Sequence, residues 1–93
     1  MINKKIKKIR RKLDRLDDKM LLIIKKRSLL VDKILSNKTK KNQIIDKQRI
    51  KLILKNIRKK SIRKKIDPNI TNQIWASMIR AFVRYEYKNF KKR

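Results

Sequence analysis

The side chains that could do chemistry in this sequence are five charged residues at unusual helical positions: Arg27, Lys38, Asp46, Arg49 and Glu86. Arg27 interrupts an apolar seam, where a charge must find an anion or reach water because an unpaired buried charge is costly. Glu86 is the only glutamate of the chain and falls on an apolar helix face. This set suggests a cation-lined site for a small anion.

Two pairs within this set have helical spacings. Arg27 and Lys38 are 11 residues apart, so a continuous helix would place their Cα atoms ~16 Å apart on one side, where extended side chains could converge on one dianion. Asp46 and Arg49 are three apart and share a face near a helix start, which suits capping or an ion pair as well as function. Glu86 also suits a surface carboxylate flanked by Tyr85 and Tyr87, or a carboxylate neutralised by a nearby lysine.

The first helix must position most of these residues. We expect it from about residue 3 to residue 38, with Asn3 as a good N-cap. Its apolar seam has steps of three and four and consists of Ile2, Ile6, Ile9, Leu13, Leu16, Met20, Ile23, Leu30 and Ile34. Such spacing is typical of helices that pack on other helices. On the order of 50 Å long, this helix exceeds the size of a small globule, which favours pairing with a second copy of the chain.

Two further helices are expected in the rest of the chain. Residues 39–43 form a polar connector, and residues 44–62 form a helix with Ile50, Ile53, Leu54 and Ile57 at helical spacing. Asp67 and Pro68 suit the N-cap and first turn of a third helix, over about residues 68–90. Its apolar stripe consists of Trp75, Met78, Ile79, Phe82 and Phe90. The expected fold is all-α, a single domain of three helices in a homodimer.

Composition excludes several classes of protein. The 93 residues contain no glycine, cysteine or histidine, which favours an all-helical fold and excludes the usual zinc sites and Cys/His or Ser/His catalysis. The net charge of +25, from 32 basic and 7 acidic residues, suits either an anionic partner or an AT-rich coding sequence. No run approaches the ~20 apolar residues of a membrane span. We expect no metal, no membrane and a cytoplasmic protein.

From about residue 6 to residue 90, the order and spacing of these residues resemble those of the small all-helical chorismate mutases and the related isochorismate-pyruvate lyases. Residues 9–17 (IRRKLDRLD) are similar to the family's lead arginine followed by Ile/Leu-Asp-x-Ile/Leu-Asp. An apolar run that ends in Arg27 and the later Lys38 also match, as do Asp46 and Arg49 in the second helix. The segment 74–90 resembles the last helix. The resemblance implies an intertwined homodimer in which the first helices cross between subunits.

The resemblance also implies roles for these residues in a site without a cofactor. Partner-chain Arg10 and Arg27 would bind the two carboxylates of chorismate. Lys38 would donate to the ether oxygen, and Glu86 would be the second donor, where bacterial members often have glutamine. A shared site agrees with spacing, since Arg10 lies 17 residues before Arg27, about 25 Å along one helix. The implied reaction is the Claisen rearrangement of chorismate to prephenate.

The remaining implied roles include two departures from the family pattern. Arg49 would support a carboxylate, and Asp46 would orient the substrate hydroxyl. Ile50 stands where many mutases have a glutamate that binds this hydroxyl, and Phe82 replaces a small polar residue of the ligand face. Because lyase-like relatives also have an apolar residue at the Ile50 position, an isochorismate-pyruvate lyase remains an alternative. A basic helical dimer that binds nucleic acid is an alternative of another class.

Overall fold

The computed structural model describes residues 3–91, which form three α-helices and one 3₁₀ turn with no strand among them. The helices are α1 (Lys4–Ser36), a 3₁₀ turn (Lys41–Gln43), α2 (Lys47–Arg63) and α3 (Pro68–Asn89). The expected all-α class and the three helices are confirmed. The chain divides into two compact units between Leu30 and Val31.

The first unit is the N-terminal part of α1, and it begins at a side-chain cap. Oδ1 of Asn3 accepts a hydrogen bond from the backbone N of Ile6 at 2.9 Å. The carbonyl of Asn3 accepts from the backbone N of Lys7 at 3.2 Å. Asparagine is favoured at this position because its side-chain oxygen satisfies an N–H that has no partner within the helix.

The apolar seam of α1 is exposed along the first unit. Each of its members is at least 41% exposed, namely Ile6, Ile9, Leu13, Leu16, Met20, Ile23 and Leu30. Ile2, the first expected member, lies outside the described residues. The run from residue 20 to residue 24 is also exposed and apolar all round the helix. A helix with this character normally packs against other helices, because its apolar surface is otherwise left in water.

The second unit begins in the last turns of α1, which ends two residues earlier than expected. The backbone N–H groups of Asn37 and Lys38 bond to carbonyls three residues back, each at 3.0 Å. Ser36 Oγ and Asn37 Nδ2 both donate to the carbonyl of Lys33 at 2.8 Å. These local side-chain bonds compete with helix continuation. Lys38 therefore lies beyond the helix, and the expectation that it shares one continuous helix face with Arg27 was wrong.

The connection to α2 is longer and less polar than expected. Gln43 Oε1 accepts from the backbone N of Thr39 at 2.7 Å and of Lys40 at 2.9 Å, which holds the 3₁₀ turn closed. Ile44, expected in the helix, instead precedes it and is only 3% exposed. The helix begins at Lys47 because Asp46 is its N-cap. An apolar anchor thus fixes the loop that joins α1 to α2.

Helices α2 and α3 pack against each other through the expected stripes. The predicted apolar residues of both helices are partly buried: Ile50, Ile53, Leu54, Ile57, Trp75, Met78, Ile79, Phe82 and Phe90. Near the turn, the hydroxyls of buried Ser61 and Thr71 lie 2.7 Å apart. This bond satisfies two polar groups that would otherwise be costly to bury.

The turn between α2 and α3 uses a left-handed residue that is not glycine. Lys65 has φ 59°, and the N–H groups of Lys65 and Ile66 bond to the carbonyls of Ile62 at 3.2 Å and Ser61 at 2.9 Å. This pattern is a Schellman motif, which normally has glycine at the left-handed position. After it, Asp67 caps α3 through a 2.9 Å bond to the backbone N of Asn69.

Candidate active site

An ion pair joins two of the residues that the sequence singles out. Lys38 Nζ lies 2.8 Å from Oε1 of Glu86, and the two side chains are 17% and 10% exposed. It is the one ion pair found within residues 3–91. A charge-assisted bond at this distance is strong, and its burial reduces screening by water and salt. Glu86 is buried, so it is not a surface carboxylate, and the other alternative, a carboxylate neutralised by a nearby lysine, is the arrangement present.

Glu86 is buried because α3 has a periodic apolar face. Three partly buried residues precede it at helical spacings, namely Trp75, Ile79 and Phe82. Glu86 lies on the same helix face, so its carboxyl is buried with them. Burying a charge among apolar residues is costly unless it is paired. Lys38 supplies that pairing.

Lys38 is held by a second contact and borders an open cleft. Its ammonium also donates to the carbonyl of buried Ile44 at 3.4 Å. Because an ammonium has three N–H donors, these two acceptors leave one N–H for a ligand. The cleft beside it measures ≈ 760 Å³ and includes Asp46 and Tyr87 in its lining, a size suited to a small molecule.

Asp46 and Arg49 are linked through the backbone rather than as an ion pair. Asp46 Oδ1 accepts a 3.0 Å bond from the backbone N of Arg49. Asp46 is the N-cap of α2, so it lies at the start of this helix as expected. The Arg49 side chain is exposed. The capping role that the spacing allowed is the one present, and the Asp46 side chain still borders the Lys38 cleft.

Arg10 and Arg27 both lie on α1 in the first unit. Arg10 is exposed, whereas Arg27 is partly buried. The Nε of Arg27 is shielded from solvent and has no hydrogen-bond partner among the described residues. Buried donors are nearly always bonded, so an unpaired guanidinium N–H is a candidate contact for an anion. The helical rise separates Arg10 from Arg27 by about 25 Å, so these two residues of one chain do not meet.

Ile50 lines an apolar groove of ≈ 370 Å³ between α2 and α3. The groove also contains Leu54, Ile79 and Val83, with Arg80 and Arg84 contributing to its lining. No carboxylate belongs to the lining. A substrate hydroxyl placed against Ile50 would therefore find apolar contact and no acceptor from this residue. Phe82 contacts a different neighbour, Tyr85, edge to face with ring centroids 6.5 Å apart.

Sequence reasoning missed a contact directly beside the ion pair. Tyr85 Oη donates to Oδ1 of Asp32 at 2.6 Å. This bond to the carboxylate raises the pKa of Tyr85, with smaller contributions from desolvation and from the negative charge of Asp32. The two residues are 53 positions apart, and no local pattern in the sequence signals such a pairing.

The arrangement can bind an anion and donate hydrogen bonds, which are the elements of electrostatic catalysis. Residues 3–91 contain no group of three or more carboxylate, histidine or cysteine side chains gathered to hold a metal. No helix within the same range is both long and apolar enough to cross a membrane. The chemistry available from the described side chains is that of fixed cations, hydrogen-bond donors and carboxyl groups.

Comparison with known proteins agrees with the resemblance noted from the sequence. Searches of curated proteins and of solved structures gave no significant match. The family model described as chorismate mutase type II matches residues 9–87, a span that includes Arg10, Lys38 and Glu86. The chain therefore belongs to the chorismate mutase type II family.

Proposed function

We propose that this protein is a chorismate mutase, which converts chorismate to prephenate by an intramolecular Claisen rearrangement. The family implies an isomerase. The observation that carries the proposal is the 2.8 Å pair between Lys38 and Glu86. These are the two residues that the resemblance places at the ether oxygen of the substrate, and they meet across 48 positions of sequence.

The reaction suits a site made of fixed cations and donors. As the carbon–oxygen bond of chorismate breaks, negative charge develops on the ether oxygen, and a positioned ammonium stabilises that charge. The remaining N–H of Lys38 is available for this contact. Holding the substrate in its compact reactive conformer lowers the entropic part of the barrier. The rearrangement requires neither a nucleophile nor a cofactor.

The two carboxylates of chorismate need partners, and arginines of α1 are suited to them. Arg27 has a shielded Nε without a partner, which supports a carboxylate contact there. Arg10 is exposed and too far along the helix to join Arg27 on one small ligand. We therefore assign Arg10 to the site of a second subunit. Arg49 supports the bound carboxylate, and Asp46 orients the substrate hydroxyl from the cleft beside Lys38.

A homodimer is part of this proposal because the first unit leaves its apolar seam in water. Only Leu35 and Ile44 are buried apolar residues within the described chain, a small core for a protein of this length. Covering the seam with a second copy would recover ~25 cal/mol for each Å² of apolar surface removed from water. Crossing first helices would also carry Arg10 to the partner's site.

Isochorismate-pyruvate lyase is the second candidate, and Ile50 is the observation that favours it. Its apolar groove presents no carboxylate to a substrate hydroxyl, unlike the glutamate that many mutases have at this position. Both reactions use a dianionic substrate and a cationic site, so the described contacts are compatible with either. The product formed distinguishes them.

The test is to incubate the purified protein separately with chorismate and isochorismate and to identify the products by mass spectrometry and NMR. Prephenate from chorismate supports the mutase, whereas pyruvate and salicylate from isochorismate support the lyase. Lys38→Met should lower kcat by ~10²–10³, the usual cost of removing one donor to a developing oxyanion. The matched control is Lys41→Met, which alters an exposed lysine of the neighbouring 3₁₀ turn. No turnover of either substrate by the folded protein would contradict both assignments.

A further inference from the structure

Two consecutive residues of α3 are bonded to the chain segment that ends α1. Tyr85 Oη donates to Asp32 Oδ1 at 2.6 Å, and Glu86 pairs with Lys38 at 2.8 Å. Asp32 lies within α1, and Lys38 lies two residues beyond its end. Two neighbouring residues of α3 are therefore bonded to the C-terminal end of α1, one to a residue before this end and one to a residue after it.

We propose that the Tyr85–Asp32 hydrogen bond is a positioning device that holds Glu86 against Lys38. Consecutive residues of an α-helix project about 100° apart, so two such bonds together restrict rotation of α3 about its axis. A carboxyl group about 6 Å from the axis moves ~2 Å for a 20° rotation. That displacement is enough to break a 2.8 Å ion pair.

One contact restricts the side chain of Tyr85, and another holds its backbone. The ring packs edge to face on Phe82, one turn earlier in α3, with an interplanar angle of 80°. The backbone carbonyl of Tyr85 accepts a bond from Asn89 Nδ2 at 2.8 Å, one turn later. A side chain that is restricted by a neighbouring ring loses less entropy when it forms a hydrogen bond. The ring contact therefore favours donation from the phenol to Asp32.

The consequence for catalysis rests on the proposed function, but the coupling between the two bonds can be measured without activity. A double-mutant cycle of Lys38→Met and Glu86→Gln, followed by urea unfolding, gives the free energy that couples the ion pair. The same cycle is then repeated in the Tyr85→Phe background, which removes only the phenolic donor. We expect the coupling free energy to fall by about half or more, because Glu86 is no longer held within bonding distance of Lys38.

A conservative substitution of Asp32 separates the hydrogen bond from charge and packing. Asp32→Asn keeps an oxygen that accepts from the phenol, so it should retain most of the Lys38–Glu86 coupling. Asp32→Ala removes the acceptor and should behave like Tyr85→Phe. The matched control is Asp18→Ala, which deletes an exposed aspartate elsewhere on α1. This order of effects is specific to positioning, since a purely electrostatic role of Asp32 would make the asparagine and alanine variants alike.

Activity provides the second readout. Tyr85→Phe should lower kcat by ~10-fold with KM changed by less than about twofold, since misplacing a catalytic group by about 1 Å is costly. An unchanged Lys38–Glu86 coupling in both Tyr85→Phe and Asp32→Ala would overturn the inference. Loss of coupling in a protein that turns over neither chorismate nor isochorismate would support the positioning device and contradict the proposed function, so the two failures are distinguishable.

Discussion

The ammonium of Lys38 and the carboxylate of Glu86 meet at 2.8 Å, although 48 positions separate them in the chain. Lys38 lies just past the end of α1, and Glu86 lies near the end of α3. Both side chains are largely buried, and the backbone carbonyl of Ile44 is a further acceptor for the ammonium. The pair thus joins three segments of the second unit at the place where the catalytic donors are proposed.

The variant Glu86→Gln tests whether this position contacts the ether oxygen. An amide donates a hydrogen bond and has no negative charge to repel the one that develops on the ether oxygen, whereas a carboxylate only accepts. We expect Glu86→Gln to raise kcat, and we expect Glu86→Ala to lie ~10²-fold below Glu86→Gln because it lacks a donor. Steady-state kinetics of the three proteins at one pH would check this. Equal kcat values for the glutamine and alanine variants would contradict the assignment.

Subunit exchange tests the proposed sharing of the site. Arg10→Ala and Arg27→Ala should each be nearly inactive, but a mixed dimer has one site that keeps both arginines. With random exchange of equal amounts, about one quarter of the wild-type activity should return, because half of the dimers are mixed and each has one intact site.

The control for this exchange is Arg11→Ala, which removes the neighbouring arginine on a different side of α1. Arg11→Ala should remain active by itself. Absence of recovery after exchange has been demonstrated by mass spectrometry would argue that the two arginines do not serve one site.

Polar substitutions in the α1 seam test the proposed homodimer. Leu16→Gln with Met20→Gln should shift the protein towards monomer, because both side chains are more than half exposed in the single chain and would be covered by a partner. Light scattering after size-exclusion chromatography gives the mass. The matched control, Arg15→Gln with Lys19→Gln, makes the same number of changes one residue earlier, on another side of the helix. A monomeric wild type would remove the basis for a shared site.

The turn after α2 offers a stabilising substitution. Lys65 has φ 59°, a conformation that costs a non-glycine residue ~1–2 kcal/mol, partly offset by the greater flexibility of glycine in the unfolded chain. Lys65→Gly should therefore raise the free energy of unfolding by roughly 0.5–1 kcal/mol. Lys64→Gly, at φ −89°, should give no gain. Urea denaturation measures both, and a loss of stability in Lys65→Gly would contradict the prediction.

Alkaline unfolding tests the bond between Tyr85 and Asp32. Because the hydrogen bond to Asp32 raises the pKa of Tyr85 above 10.0 in the folded protein, folding favours the protonated phenol. The resulting stabilisation is present below the unfolded pKa and is lost as pH rises through the folded one. The stability difference between wild type and Tyr85→Phe should therefore shrink above about pH 10. Comparing the two proteins cancels the titration of the many lysines, and a difference independent of pH would contradict the bond.

Local patterns were sufficient for the helices but less so for their ends. The spacing of apolar residues in α1 and α3, and the Asp67–Pro68 start signal, depend only on neighbours in sequence. The end of α1 was expected at Lys38 but falls at Ser36, because Ser36 and Asn37 bond back to the carbonyl of Lys33. Side chains that bond to backbone carbonyls compete with helix continuation, and a few such hydrogen bonds decide where the helix ends. The spacing of apolar residues does not predict these bonds.

The sequence by itself determined the all-helical fold, the apolar seam of α1 and the family, because composition, periodicity and motif spacing are properties of the linear chain. Only the tertiary structure decided that Glu86 pairs with Lys38 and that Asp32 receives the phenol of Tyr85. These contacts depend on how α3 returns to the end of α1, after two turns and a buried Ile44 have set its direction. Residues about fifty positions apart meet through packing, and no local rule of spacing specifies that distance.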